Sequence, residues 1–455
     1  MFNAGSRPMT LSTFFCRAAA GLTLAWAAPA GAQGVPVFDR SIELASFDTA
    51  WTRVRDSYYD KSLRGLDWNR LRDSLRPIVA EATSRADTRR AISSLLSRLG
   101  ESHFGVIPGD AMAVSAPTAA GLAGDAGIEV RFLDSILVIT RVESGTAAFE
   151  AGVRPGWLVD AIDTLRVLDA WRTTRAVTAP AARRFSLVRL TLTLNSLLRG
   201  PAGGSIRLSV RDDKDIRRDV AVGLRETPGQ LVEFGALPPV LVRFESHRVA
   251  HGEGCLGVIR FNMFMTPVVP RFQDAMADLA GCEGITLDLR GNLGGLGAMI
   301  VGMSGYFFAE PETLGTMHLR DATMRYVANP VRVNRRGEAI TPYAGPVAIV
   351  VDELSASTTE ILAAAMQHLG RARVFGVQSA SQALPAVVMR LPNGDRFMYV
   401  IADFVGPGGS RVEGTGVVPD QHVPLDRSSL LAGRDEALEA ALAWLRARRP
   451  TLQPG

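Results

Sequence analysis

Four short stretches of this chain carry side chains able to do bond-breaking chemistry. The first is S-A-S-T-T-E at 355–360, between an apolar run at 347–351 and a helix-like segment at 358–369. A serine at such a junction lies at the positive end of a helix, where developing oxyanion charge is favoured. The same letters also read as a capping box, with Ser357 as N-cap and Glu360 at N3. The second stretch is D-L-R-G-N-L-G-G at 288–295, directly after a buried-type strand. Its glycines let backbone N–H groups approach an anion closely, although a plain tight turn would read alike. It is not G-x-G-x-x-G and no G-K-[ST] follows, so nucleotide binding is weakly supported. The third is Ser102-His103, and the fourth is Glu413 in R-V-E-G-T-G-V-V-P-D at 411–420. Taken alone, these are a loop histidine and a solvent-facing carboxylate.

Composition removes several chemistries. The six histidines form no H-E-x-x-H pattern, so no metal and no cofactor is expected. Lysine and arginine total 50 against 46 acids, and only Lys61 and Lys214 are lysines. The arginines are interspersed with acids, which argues against a nucleic-acid partner. Cys16 falls inside a leader-like segment. Cys255 and Cys282 remain, and a disulfide and two buried thiols are both open.

These stretches need elements to position them. At roughly 150 residues per domain, 455 residues suggest about three domains. Arg7 and Arg17, the apolar run at 18–28 and A-G-A at 30–32 resemble a secretory signal over 1–32. A secreted or periplasmic protein is therefore expected, with no stable membrane insertion after signal cleavage. Helical spacing over 42–59, 68–80 and 88–99 predicts a helical unit at 36–110, followed by an Ala/Pro/Ser-rich linker at 111–120. Strand patterns at 127–130, 136–142, 206–210 and 219–222 place a β-rich unit at 118–226. Buried-type strands at 255–261, 284–289, 347–351 and 372–375 alternate with helices at 272–279, 298–308 and 358–369, which argues a layered α/β core over 231–426. The last unit, 427–455, reads as an amphipathic helix and tail.

The β-rich unit resembles a PDZ domain through S-G-T-A-A followed by A-G-V-R-P-G-W and Ile162-Asp163. That resemblance implies capture of an extended peptide along a strand edge at Gly127, Ile128 and Val130. An insertion at about 168–204 departs from the family's short form. Asp288 to Gly295, the Ser355–Glu360 run and Glu413 to Asp420 together resemble the tail-specific, or carboxyl-terminal processing, serine peptidases, over about 47–423. The resemblance implies a multidomain α/β fold, with an N-terminal helical segment, a PDZ-like unit and a crotonase-like core. It implies Ser357 as nucleophile, with the amides of Thr358 and Gly295 as oxyanion hole.

One departure decides the branch. The bacterial enzymes carry a lysine base about 25 residues after the serine, and 357 + 25 = 382 is Gln382. A glutamine amide cannot take and release a proton near neutrality. The tricorn-type branch instead implies His103 as base, with Ser102 and Glu413 orienting it and activity rising through an ordinary imidazole titration. His368 would lie ~16 Å along the helix from Ser357, out of reach. His247, His251, His318 and His422 read as surface residues. The expected function is a serine-type endopeptidase acting on extended peptides or unfolded protein. The alternatives are an inactive ligand- or peptide-binding protein on the same fold, or a PDZ-led scaffold.

Overall fold

The computed structural model describes residues 38–109, 123–177, 180–237 and 239–448. The signal-like leader, Cys16 and the 111–120 linker lie outside the described residues. Helix α1 (Arg40–Ser57) starts at Asp39, whose carboxylate accepts from the Ser41 and Ile42 amides. It buries Phe47, Ala50, Trp51 and Val54, one stripe at helical spacing. Helix α2 (Trp68–Ala80) is capped by Asp67, and α3 (Arg85–Ser97) opens on a Ser84/Asp87 capping box. The Trp51 indole donates to the Trp68 carbonyl (2.8 Å) and the Trp68 indole to the Trp51 carbonyl (3.1 Å), which locks α1 to α2. After α3 comes the Ser102-His103 bend, then strand β1 (Gly105–Ile107).

The second layer is an antiparallel sheet. Strands β2 (Ile128–Leu133), β3 (Ile136–Val142), β4 (Leu158–Ile162), β5 (Ser205–Arg211) and β6 (Arg217–Gly223) pair in that order. The insertion between β4 and β5 forms two helices, α4 (Val167–Arg175) and α5 (Pro180–Leu197). β2 is the edge strand, and α5 lies along it. The Asn195 side chain accepts from the Val130 amide (3.1 Å) and donates to the Val130 carbonyl (3.0 Å), as a neighbouring strand would.

The core is a six-stranded sheet. β7 (Phe244–His251) is antiparallel to β8 (Gly254–Phe261), and β8, β9 (Gly284–Asp288), β10 (Val347–Val351), β11 (Ala372–Gly376) and the short β12 (Gln421–His422) run parallel. β9 and β10 are buried at every position, which explains the unbroken apolar sequence of β10, while β9 also buries Thr286 and Asp288. Helix α6 (Thr358–His368) packs on one face of the sheet, and Ala441, Leu442 and Leu445 of α7 (Glu436–Arg446) cover the other. Two further strands, 386–390 and 396–400, form a hairpin outside this sheet. β1 pairs antiparallel with the 396–400 strand, from Gly105↔Met398 to Ile107↔Arg396. The N-terminal helices bury Phe47, Trp51 and Leu95 against Leu384 and against Phe397 and Val400 of the same hairpin.

Charge joins the antiparallel sheet to the core. Arg131 of β2, buried, donates to Asp352 (2.7 Å), and Arg260 of β8 donates to Glu129 (2.7 Å). Cys255 and Cys282 are disulfide-bonded with Cα atoms 4.7 Å apart, which settles the open cysteine question. The bridge spans a sequence separation of 27. Closing such a loop restricts the unfolded chain by about 3–4 kcal/mol. Replacing both cysteines by serine should therefore lower the thermal midpoint clearly, read by calorimetry. An unchanged midpoint would show that the bridge adds no stability.

Candidate active site

The two sequence stretches at the core lie side by side because their strands do. β9 ends in the 288–295 turn and β10 in the 352–357 loop, at the carboxyl edge of a parallel sheet where ligands of α/β folds usually bind. Asp352 accepts from the Gly291 amide (2.8 Å), and the Ser355 hydroxyl donates to the Leu289 carbonyl (2.8 Å). The Asn292 carboxamide oxygen accepts from the Gly294 amide (3.0 Å) and the Thr359 hydroxyl (2.8 Å). Ser355 is thus a structural residue, while Ser357 keeps partial exposure.

Ser357 has φ +59° and ψ −123°, a conformation that costs a non-glycine residue about 1–3 kcal/mol. Its amide donates to the Gln382 carbonyl (2.7 Å) and to Glu360 (3.1 Å). Ser357 and Glu360 face each other as in a capping box, but only the Glu360 arm is a hydrogen bond; the hydroxyl makes no capping bond. Glu360 does more than cap. It is fully buried and also accepts from the Ser379 hydroxyl and from the Ser381 and Gln382 amides (2.8 Å each). Burial raises its carboxyl to about 7, and these donors pull the other way.

Among the described residues, two backbone amides near the serine are left without partners. The Thr358 amide opens α6, and neither it nor the Gly295 amide has a hydrogen-bond partner among the described residues. Gly295 is held by its neighbours: the Phe264 amide donates to the Gly294 carbonyl (2.7 Å) and the Thr358 hydroxyl to the Gly295 carbonyl (2.9 Å). Sequence reasoning missed Gly294. A Cβ there would come within 2.6 Å of the Ser357 Cβ and 2.9 Å of the Thr358 nitrogen, so only glycine lets the turn close on the serine.

The other half comes from distant chain. His103 has φ +58°, and its Nδ1 lies 2.7 Å from the Ser102 Oγ. The Ser102 hydroxyl donates to Glu413 (2.9 Å), as does the Ser102 amide (3.0 Å). A hydroxyl has one proton. Since it goes to the carboxylate, Oγ must accept from Nδ1–H, which leaves the Nε2 lone pair free. The Ala383 amide also donates to Glu413 (2.8 Å). The Gln382 carbonyl and Ala383 amide belong to one planar peptide unit. That unit takes the Ser357 amide on one side and Glu413 on the other. Burial raises the Glu413 carboxyl and lowers His103 to about 4.

Residues 255–423 match Peptidase family S41, and residues 44–97 match the Tricorn protease C1 domain. This chain is a serine-type peptidase. A carboxyl-terminal-processing protease of Synechocystis sp. is 24% identical over 406 residues, covering 87% of this chain and 85% of the relative. Carboxyl-terminal-processing peptidase 2, chloroplastic, of Arabidopsis thaliana is 23% identical, covering 83% and 68%. Among solved structures, the photosystem II D1 C-terminal processing protease superposes with TM-score 0.55 at 22% identity, over 89% of this chain and 97% of that one. Mature CPAF does so with TM-score 0.59 at 12% identity, over 91% and 99%. These likenesses carry the α/β fold with its N-terminal helices.

Within the peptidase, neither lysine approaches the serine loop. Lys61 pairs with Asp321 at the surface (2.6 Å), and Lys214 sits in an exposed turn. His368, at the far end of α6, packs against Gly408. His247 and His422 are exposed, and His251 and His318 partly buried. The insertion reaches the site's back. Val188 and Leu192 of α5 pack on Leu354, Ala356 and Ala380, and Arg184 donates to Gln378 (2.7 Å) and Ser381 (3.1 Å). Nitrogen NMR of a histidine-labelled peptidase should show His103 protonated on Nδ1, with a titration midpoint well below the ordinary ~6.5. An Nε2–H tautomer, or a midpoint at or above 6.5, would contradict the geometry.

Proposed function

We propose that this peptidase is a secreted or periplasmic endopeptidase that cleaves extended peptides or the C-terminal regions of proteins through Ser357, His103 and Glu413. The observation that carries the reading is the bond from Nδ1 to Ser102 and on to Glu413, because it leaves Nε2 as the acceptor a general base needs. His103 Nε2 takes the Ser357 hydroxyl proton as Oγ attacks the scissile carbonyl carbon. The oxyanion is received by the Gly295 and Thr358 amides. The imidazolium then gives its proton to the leaving amine, the C–N bond breaks, and an acyl-serine remains. Water, deprotonated by the same Nε2, attacks the ester carbon, the C–Oγ bond breaks, the imidazolium returns its proton to Oγ, and the carboxyl product leaves. Glu413 stabilises the imidazolium through Ser102. No cofactor enters this scheme. The disulfide suits an oxidising compartment, which supports export along with the signal-like leader.

The antiparallel sheet is the proposed PDZ unit, with Gly127, Ile128 and Val130 as its peptide edge. Asn195 now holds the Val130 amide and carbonyl, so a peptide must displace it. Asn195→Ala should tighten the binding of an unstructured peptide by several-fold in calorimetry. Unchanged or weaker binding would remove this edge from consideration.

A fluorophosphonate should label the wild type and fail to label Ser357→Ala. His103→Ala and Ser357→Ala should each lower kcat/KM about 10⁴-fold or more. Glu413→Gln turns a donor toward the Ala383 amide and should cost about 10²–10⁴-fold. Labelling that survives in Ser357→Ala would rule out this serine. Because the base must be neutral, activity should fall as pH drops through the folded His103 value of about 4. The acid limb of kcat/KM therefore belongs below pH 6. A limb centred at 6.5 or higher would argue for an exposed, unperturbed base.

A further inference from the structure

We propose that Glu101 and Arg411 are positioning residues, forming a clamp through which the N-terminal helices set the place of the His103–Glu413 arm. This rests on the reading of His103 as base. The two residues flank the arm in sequence: Glu101 immediately precedes Ser102, and Arg411 stands two before Glu413. The Glu101 side chain is 2% exposed, and Arg411 donates to it at 2.8 Å. Three more donors converge on that carboxylate: the hydroxyls of Tyr58 and Tyr59 (the latter at 2.8 Å) and Arg64 (2.8 Å). Arg411 also donates to Asp403 (2.9 Å) and to the Tyr59 hydroxyl (3.0 Å). Tyr58 and Tyr59 follow directly on α1, and Tyr58 is fully buried against Phe104 (ring centroids 5.8 Å).

The clamp has work that an ordinary surface ion pair lacks. His103 sits in a left-handed conformation that its own backbone does not favour, so both sides of it must be fixed. Pairing of β1 from Gly105 fixes the following side. On the preceding side, the charged anchor nearest to His103 is Glu101. Its partner Arg411 fixes the start of the loop that carries Glu413. A slip of about 1 Å between these segments breaks the 2.7 and 2.9 Å bonds through Ser102, and misplacement of that size commonly costs orders of magnitude in rate. Arg411 also stands between two acids. Without it, Glu101 keeps Arg64 as its one ion-pair partner among the described residues, more of its charge acts on Glu413, and the carboxylate that orients the base becomes harder to ionise.

The experiment compares Arg411→Met, Arg411→Lys, Glu101→Gln and Tyr59→Phe with the wild type, using a peptide substrate and the fluorophosphonate labelling rate. Arg411→Met should lower kcat about 10–100-fold, with KM within about twofold, and move the acid limb of the pH profile upward. Arg411→Lys should recover part of kcat. Tyr59→Phe, which keeps the ring and loses one donor, should give a smaller drop of the same kind. In the double variant with Glu101→Gln, the losses should be far from additive. Folded variants that keep kcat, that change KM alone, or that leave the pH limb in place would overturn the proposal. Ser357→Ala, run in parallel, tests the catalytic reading separately: retained labelling there defeats that reading, while lost labelling there with an unaffected Arg411→Met defeats the clamp alone.

Discussion

The Glu413 carboxylate sets the terms for the rest of the site. It is largely withdrawn from water, and a buried carboxylate is tolerated only where donors satisfy it. Its donors are the Ser102 amide, the Ser102 hydroxyl and the Ala383 amide, from segments far apart in sequence. Meeting that requirement fixes where the Ser102-His103 bend must lie. It also decides which imidazole nitrogen carries the proton. Were Glu413 protonated, the hydroxyl would be free to donate to Nδ1, and the wrong tautomer would follow. Burial pushes Glu413 toward that state, and three hydrogen bonds oppose it.

The serine half has a matching organiser in Glu360. Its four donors come from the Ser357 amide and the 379–382 loop, so nucleophile and loop share one anchor. The peptide between Gln382 and Ala383 then links this half to the Glu413 half through a single rigid plane. Displacing the loop would move both halves together. The helix α5 leans on that same loop through Arg184 and Ala380, so the insertion braces the site from behind.

Much of the fold was legible because it is written in local pattern. The strand at 347–351 is apolar throughout, and those at 255–261 and 372–375 are apolar but for Arg260 and Arg373, since both faces of the sheet are covered, and the helices at 68–80 and 358–369 carry caps and spacing within a residue or two of their ends. Ser357 and the 288–295 turn lie together because adjacent parallel strands deliver their loops to one edge. Less legible was anything set by distant pairing. The three-residue strand β1 is too short to show a period, yet its pairing to the 396–400 strand carries the His103 bend to the core. Glu360 looked like a cap because its neighbours in sequence are capping residues, while its other donors lie some 20 residues on. The 168–204 insertion showed apolar residues at no clear period, because α5 is gripped on opposite sides by the sheet edge and the serine loop.

Gln382 ties these points together. A lysine base at this position would be carried by the loop that already holds the serine amide, and local backbone geometry would suffice to aim it. Here the residue keeps the backbone role: its carbonyl takes the Ser357 amide and its amide goes to Glu360. Its side chain cannot act as a base, and the Nε2 group is buried without a partner among the described residues. The proposed base must then arrive from the other end of the chain, where nothing local aims it. Aiming it falls to long-range contacts: the β1 pairing, the hydrophobic seat of the N-terminal helices on Phe397 and Val400, and the Glu101–Arg411 pair. A site that takes its base from a remote segment needs such staples, and one of them here is the arginine–carboxylate pair of Arg411 and Glu101.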